Sequence, residues 1–243
     1  MKKLVVASLA FALCASSAQA QNHIYQLDNS LADQLGGPSL VADGGALGAL
    51  GYTFGPNQGL TLSSVFSSGS SYTLALRSMY TAAGDYSWRK VVDFKDLTSD
   101  LGYYDKDGIS YFVGAGTGGT PFVNNVMSFL VLTRDASTKT VSVYVNGAPS
   151  LTFYDGSDLA DFSGTGGVAH FFEDDVNFSR REAAPGYVDY IATYDRALSA
   201  SEVAALDAVP VTTPEPASLI LMATGFAGLA GIARRRRRWA LRD

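Results

Sequence analysis

The sequence has little cysteine, little histidine and little positive charge outside its two ends. Among 243 residues there is one cysteine, Cys14, and there are two histidines, His23 and His170. Because Cys14 lies in a segment that we expect to be removed, the mature chain has no thiol for disulfides, nucleophilic catalysis or cysteine-ligated zinc. Two histidines are also too few for a histidine-rich zinc site.

Basic residues are scarce in the body of the chain. Residues 21–213 contain ten Lys and Arg against 21 Asp and Glu, a net charge of −11, whereas the whole chain carries −5. This acidity argues against nucleic acid as a partner, because phosphates require the opposite sign. Charged residues are only 17% of the chain and apolar residues 47%, which excludes a disordered protein.

Residues 1–20 have the three parts of an export signal. Lys2 and Lys3 precede the apolar run Leu4–Leu13, and Ala18-Gln19-Ala20 provides the small-x-small pattern that signal peptidase accepts. The apolar run is too short to cross a bilayer. We therefore expect a signal peptide at 1–20 that signal peptidase removes before Gln21.

The other end has a second three-part pattern after a linker at 209–213. Pro214-Glu215-Pro216 precedes the uncharged stretch Ala217–Ala233, and five arginines follow, namely Arg234, Arg235, Arg236, Arg237 and Arg238. At ~1.5 Å per residue the uncharged stretch spans ~25 Å, the lower limit for a transmembrane helix. We predict a transmembrane helix at 217–233, with the arginines on the cytoplasmic side.

Residues 214–238 closely resemble the PEP-CTERM sorting signal. The resemblance implies that the protein is exported, held in the membrane by this tail and processed by an exosortase, typically in Gram-negative bacteria that make extracellular polysaccharide. Pro214, Glu215 and Pro216 would then be recognition residues for another enzyme. The expected location is the cell envelope, either anchored by the tail or released to the cell surface or extracellular matrix.

Residues 21–208 predict an all-β antiparallel sandwich, because short β-rich runs alternate with Gly, Ser, Asn and Asp clusters. Asn146-Gly147 predicts a tight hairpin turn, although Pro149 suggests a wider loop. Ser199 and Glu202 form a capping box that predicts one short helix. The predicted strands are Ile24–Leu27, Gly51–Phe54, Gly59–Leu62, Tyr72–Met79, Trp88–Phe94, Ile109–Val113, Met127–Thr133, Thr140–Val145, Leu151–Tyr154, Val168–Phe172 and Tyr187–Tyr194.

Three segments resemble the laminin-G-like (concanavalin A-like) jelly-roll domains. Gly186–Val203 is similar to the closing strand and helix of that family, Leu132–Asp135 with Val141–Gly147 to its hairpin, and Tyr52–Phe54 to an early strand. The resemblance covers most of residues 24–207 and implies a jelly roll in which Asp189 makes a structural hydrogen bond. The family contains lectins, adhesion modules, hydrolases and pentraxin-like binders, so the function depends on the site.

We predict no catalytic residues. The Glu-x-Asp-x-x-Glu run of laminarinase-type glycosidases is absent, and the spacing of Asp93 and Asp96 predicts opposite faces of a strand in a solvated acidic edge. His170 is predicted to be a hydrogen-bonded sandwich histidine. A glycan hydrolase would require Glu173, Asp174 or Glu182 to converge with another carboxylate.

Calcium is the metal that this composition allows, because it takes oxygen ligands. Related laminin-G-like domains carry a calcium ion at the rim. The predicted ligands share one loop and are Glu173, Asp174, Asp175 and Asn177. Two weaker alternatives are Asp105-Lys106-Asp107-Gly108, which favours a tight turn, and Asp28-Asn29 with Asp33.

Aromatic residues in loop-like surroundings predict a platform for sugar rings, formed by Tyr86 with Trp88 and by Tyr103 with Tyr104. The sequence thus favours a non-enzymatic binding module for polysaccharide or another envelope protein. A structural biofilm or matrix component without a discrete ligand is the main alternative, and a glycan hydrolase is the third.

Overall fold

The computed structural model describes residues 22–81, 88–106, 108–111, 118–119, 122–162, 167–176 and 181–207. The predicted signal peptide, linker, transmembrane helix and sorting motif lie outside these ranges, as do Tyr86 and Asn177. The described strands are His23–Tyr25 (β1), Val41–Ala42 (β2), Ala46–Gly48 (β3), Gly51–Phe54 (β4), Leu60–Leu62 (β5), Tyr72–Tyr80 (β6), Arg89–Asp93 (β7), Gly102–Asp105 (β8), Ile109–Tyr111 (β9), Ser128–Asp135 (β10), Thr140–Val145 (β11), Ala148–Tyr154 (β12), Ala169–Phe171 (β13) and Gly186–Tyr194 (β14). One helix, Ala200–Asp207 (α1), follows the last strand.

The strands form two antiparallel sheets. The eight-stranded sheet has the order β12-β11-β10-β6-β14-β4-β3, and β1 also pairs with β14. The six-stranded sheet has the order β2-β5-β13-β7-β8-β9. This all-β sandwich is consistent with a jelly roll, as the sequence predicted. In the described ranges the only helix is α1, which is too short to cross a membrane.

The main core lies between the two sheets. Leu74, Leu132 and Ile191 reach it from the larger sheet, and Leu62 and Val92 reach it from the smaller sheet. All five are fully buried, as the two-residue alternation of a strand requires of every second position.

A second, smaller cluster lies on the opposite face of the larger sheet. Ala75, Val131 and Ala192 point to that face, where Val203 of α1 packs against them. The helix therefore covers the centre of the larger sheet and leaves the smaller sheet to be covered by its own loops.

The predicted hairpin and helix cap are both present. Asn146 and Gly147 have φ of 50° and 73°, as a two-residue turn requires, and Val145 pairs directly with Ala148. The expectation of a wider loop is wrong, because a register shift in the edge strand β12 accommodates Pro149. At the helix, the Ser199 N–H donates to Glu202 Oε2 at 2.8 Å, and the Glu202 N–H donates to Ser199 Oγ at 3.4 Å.

All eleven predicted strands are present, and Gly51–Phe54 and Thr140–Val145 have the predicted ends, whereas most of the others are shifted at one or both ends; three strands were missed. Two of them, β2 and β3, are short and largely exposed, so they lack the alternation on which the prediction relied. The third, β8, carries Tyr103 and Tyr104 and had been assigned to a loop.

Candidate metal centre

The candidate centre begins with a lysine on the face of β7 that points away from the main core. Val92 of β7 pairs with Tyr103 of β8, and both lie in the core between the sheets. Lys90 pairs with Tyr104, and a register shift between Lys90 and Val92 accompanies this pairing. Although Lys90 and Tyr104 belong to the opposite face, both side chains are fully buried.

The Lys90 ammonium is surrounded by acidic groups. Its Nζ lies 3.3 Å from Asp93 Oδ2, 3.8 Å from Asp175 Oδ2 and 3.9 Å from Asp174 Oδ1. It also donates a hydrogen bond to the hydroxyl of Tyr104. Asp93, Asp174 and Asp175 are themselves fully buried, so these charges are not solvated.

Three carboxylates from separate segments converge beside this lysine. One oxygen from each of Asp100, Asp174 and Glu182 lies within 4.8 Å of the other two. The Tyr104 hydroxyl donates to Asp100 Oδ1 at 2.7 Å, and the Glu182 N–H donates to Asp174 Oδ2 at 3.0 Å. The Lys90 N–H donates to the Glu182 carbonyl at 2.6 Å, which ties the segment before β14 to β7.

The centre has more negative charge than its one lysine can balance. Burial, together with the charges of Asp174 and Asp100, raises the pKa of Glu182 to about 7. Burial also raises the pKa of both Asp174 and Asp100. Asp174 Oδ1 and Asp93 Oδ2 are buried and accept no hydrogen bond from any residue that the structure describes. Such oxygens are costly to bury unless a further cation is bound.

A second acidic cluster in the same domain is balanced differently. Arg134 Nε lies 2.9 Å from Asp155, and its other nitrogens lie 2.5 Å from Asp158 and 3.8 Å from Asp161. Lys139 adds a second cation, 2.8 Å from Asp158. Among the residues that the structure describes, two cations thus lie against three carboxylates there, whereas at the candidate centre one ammonium lies within 4 Å of three carboxylates and Asp100 and Glu182 converge beside it.

The geometry of the three converging oxygens suits Ca²⁺. Calcium binds oxygens at about 2.3–2.6 Å, so two of its ligands lie at most about 5 Å apart. Three oxygens that all lie within 4.8 Å of one another can therefore share one such ion, and the all-oxygen donor set suits this hard cation.

Only some residues of the predicted calcium loop belong to this centre. Asp174 and Asp175 belong to it, whereas Glu173 Oε2 lies 4.0 Å from Nδ1 of His170. The expectation that Asp93 lies at a solvated edge is wrong, because its carboxylate is buried against Lys90. Lys90 and Asp100 were not identified, and Glu182 was named only as a carboxylate that a hydrolase would require, because only the topology brings these residues together. The one signal of this centre in the sequence was a lysine within the apolar strand β7, because a lysine is rarely buried without a charged partner.

The predicted aromatic platform is partly corrected. Tyr103 and Tyr104 lie in a strand rather than a loop and are 0% exposed, so neither ring presents a face to a ligand. Trp88 is partly exposed, with its ring edge-on to Tyr104 at 5.5 Å and the Lys106 ammonium 4.1 Å from its centre. Trp88 therefore lies next to the candidate centre through Tyr104.

Two residues have the structural roles expected of them. His170 contacts Thr61 Oγ1 through Nδ1 at 3.0 Å and Asp96 Oδ1 through Nε2 at 3.2 Å. Asp189 accepts two hydrogen bonds from Arg77, at 2.7 and 2.8 Å. Both side chains are thus satisfied within the sandwich.

The described residues form an all-β sandwich with an acidic centre on the face of the smaller sheet that points away from the main core. The chain belongs to the concanavalin A-like lectin/glucanases superfamily, whose family model matches residues 54–204. A second model, the PEP-CTERM protein-sorting motif, matches residues 212–238. This motif is a substrate signal for exosortase processing and indicates an exported, envelope-sorted protein.

Several solved structures share the fold. Domain 4 of AbnA, an extracellular GH43 arabinanase from Geobacillus stearothermophilus solved with arabinotriose, is 17% identical with a TM-score of 0.54, and the match covers 77% of this chain and 98% of that one. Trypanosoma rangeli sialidase is 16% identical with a TM-score of 0.59, covering 79% of this chain and 33% of that one. The botulinum neurotoxin serotype D binding domain is 10% identical with a TM-score of 0.54, covering 77% and 51%. At these identities the likeness shows the fold alone, and no curated protein sequence matches significantly.

Proposed function

We propose that this protein is an exported glycan-binding module of the cell envelope, without enzymatic activity, whose binding site is organised by Ca²⁺. The observation that carries the proposal is the convergence of the carboxyl groups of Asp100, Asp174 and Glu182, where the pKa of Glu182 is raised to about 7. Trp88 lies beside this centre and supplies an aromatic face of the type on which sugar rings stack.

The charge of the centre favours uncharged sugars. In the part of the chain that the structure describes, five carboxyl groups and one lysine meet at the centre, so it favours a ligand without a negative charge; the five are Asp93, Asp100, Asp174, Asp175 and Glu182. Residues 21–213 carry a net charge of −11, which repels acidic polysaccharides at longer range. The arabinotriose bound by domain 4 of AbnA is a neutral oligosaccharide, and this supports the same class of ligand.

The sorting motif supports a location of this binding function at the cell surface. We infer that residues 217–233 anchor the chain in the membrane of a Gram-negative bacterium until an exosortase processes it. A processed chain would join the extracellular matrix and contribute to a biofilm.

Thermal melting of the purified chain with Ca²⁺, with EDTA and with a panel of neutral polysaccharides tests this function. Calcium is expected to raise the melting temperature, and one neutral glycan is expected to raise it further only when calcium is present. Asp174→Asn should abolish the calcium response, whereas Asp43→Asn, at an exposed position, should retain it. No response to calcium or any glycan would instead favour a matrix component without a discrete ligand.

A glycan hydrolase is the second candidate, and one observation favours it. A carboxyl group with a pKa of about 7 at Glu182 is a suitable general acid, and Asp100 and Asp174 offer partner carboxylates. Release of reducing ends from a neutral polysaccharide, lost in Glu182→Gln, would establish this activity. Binding without such release would support the module.

A further inference from the structure

A recess in the surface lies at the end of β14 that is farther from the candidate metal centre. Glu182 precedes β14 and Asp195 follows it, so the nine-residue strand separates the two places by about 30 Å. The recess has a volume of about 400 Å³, near the lower end of the range of about 300–1,000 Å³ for small-molecule sites. Its lining consists of Asn22, His23, Ser64, Phe66, Ser67 and Asp195.

Two of the polar side chains in the recess are held in place. Asp195 Oδ1 accepts a hydrogen bond from the Ser67 N–H at 2.8 Å, and its Oδ2 accepts one from the Ser67 hydroxyl. The His23 ring is fixed between Asp33 Oδ2 at 2.8 Å and the Ser64 carbonyl at 3.2 Å. Groups that are already ordered lose little conformational entropy when a ligand binds.

The remaining hydrogen-bonding capacity defines the ligand. A carboxylate offers about four acceptor sites, and Asp195 uses two of them on Ser67. The side-chain amide of Asn22 makes no hydrogen bond to any residue in the described ranges, so its donors and acceptor remain available. Phe66 borders the recess as a largely buried ring, and neither Lys nor Arg is among the described residues of its lining. Hydroxyl donors therefore suit this recess, and a ligand carboxylate does not.

We propose that the recess is a second, calcium-independent binding site for one sugar residue that carries no carboxylate. Together with the proposed site at the acidic centre, it makes a single sandwich bivalent for glycans. Two sites at opposite ends of one strand can cross-link two polysaccharide chains, or bind one long chain at both places with an avidity that exceeds the affinity of either site.

Titration of the ¹⁵N-labelled purified chain in EDTA tests the proposal, because the chelator removes any contribution from calcium at the other site. Arabinose, glucose, galactose and mannose are the neutral probes, and galacturonate is the acidic control. At least one neutral sugar should cause saturable shifts of the backbone amide signals of Asn22 and Ser67. Galacturonate should cause none.

Two variants assign the binding to the recess. Asn22→Ala and Asp195→Asn should each weaken the affinity for the neutral sugar by about tenfold or more. If Asp195→Asn fails to fold because it loses the Ser67 contacts, Asn22→Ala still provides the test. Asp43→Asn should bind as the unaltered chain does.

The possible results separate this site from the function proposed above. Absence of saturable shifts with every neutral sugar, equal binding of galacturonate, or full affinity in Asn22→Ala would each overturn the second site. Binding that requires calcium and is unchanged in Asn22→Ala would support the acidic centre alone. Binding in EDTA that is lost in Asn22→Ala supports the recess, even if calcium has no effect on the protein.

Discussion

Raising the pH of a calcium-free solution should destabilise the sandwich, because Glu182 must then lose its proton inside an acidic centre. The surroundings raise its pKa from 4.5 to about 7. A carboxyl group with a higher pKa in the folded state binds its proton more tightly there than in the unfolded chain. Its contribution to stability is therefore complete below pH 4.5 and is lost as the pH rises to about 7.

The size of this effect follows from the pKa difference. A shift of about 2.5 units corresponds to ~3.4 kcal/mol. Because Glu182 is partly exposed, solvent screening reduces the figure, and we expect about half of it, ~1.5 kcal/mol. For a domain of this size that is a fall of about 3–6 °C in melting temperature. The pKa values of Asp174 and Asp100 are shifted in the same direction, so their ionisation adds to the fall.

Melting curves in EDTA between pH 5 and pH 8 measure this fall, with Glu182→Gln as the comparison. The variant cannot ionise at this position and should show a smaller decrease. Calcium should reverse the decrease at pH 8, and an ion at about 100 times its Kd contributes ~2.7 kcal/mol. Parallel pH profiles for the two proteins in EDTA would refute the reasoning.

Four further perturbations address other parts of the chain. Arg134→Leu removes the cation paired with the buried Asp155 and should cost ~3–5 kcal/mol in denaturant unfolding, whereas Lys139→Ala, next to the exposed Asp158, should change the unfolding midpoint far less. Gly147→Ala forces a side chain into a φ of 73° and should cost ~1–2 kcal/mol, and an unchanged denaturation midpoint would contradict the turn geometry. Ser199→Ala removes the helix cap and should cost about 1 kcal/mol, with Ser201→Ala in the first turn as its control. Glu215→Gln should impair exosortase processing, and an unaltered mass of the mature protein would count against that role.

Local signals were sufficient for most of the fold. The turn at Asn146-Gly147 and the cap at Ser199 depend on residues that are adjacent in sequence, and both are present in the structure. The edge strands β2 and β3 were missed because they consist of two and three residues with no buried face. Their pairing is fixed by the neighbouring strands β5 and β4 and not by their own residues.

The candidate centre could not be predicted because it depends on long-range topology. Asp100 precedes β8, Asp174 follows β13 and Glu182 precedes β14, so no spacing along the chain relates them. Asp174 was identified because several hard ligands stand together in its loop. Asp93 was misplaced because the simple alternation of a strand does not describe β7, where the register shifts.

The order of strands in the larger sheet has a consequence for folding during export. β14 is the last strand of the domain, yet it lies between β6 and β4 and also pairs with β1. Until Gly186–Tyr194 has crossed the membrane, the earlier strands lack their central partner, and the first strand has nothing to pair with. Contacts between such distant parts of a chain form slowly. The larger sheet therefore cannot be completed before β14 is available, and the chain stays unfolded enough to be exported until almost the whole domain has crossed the membrane.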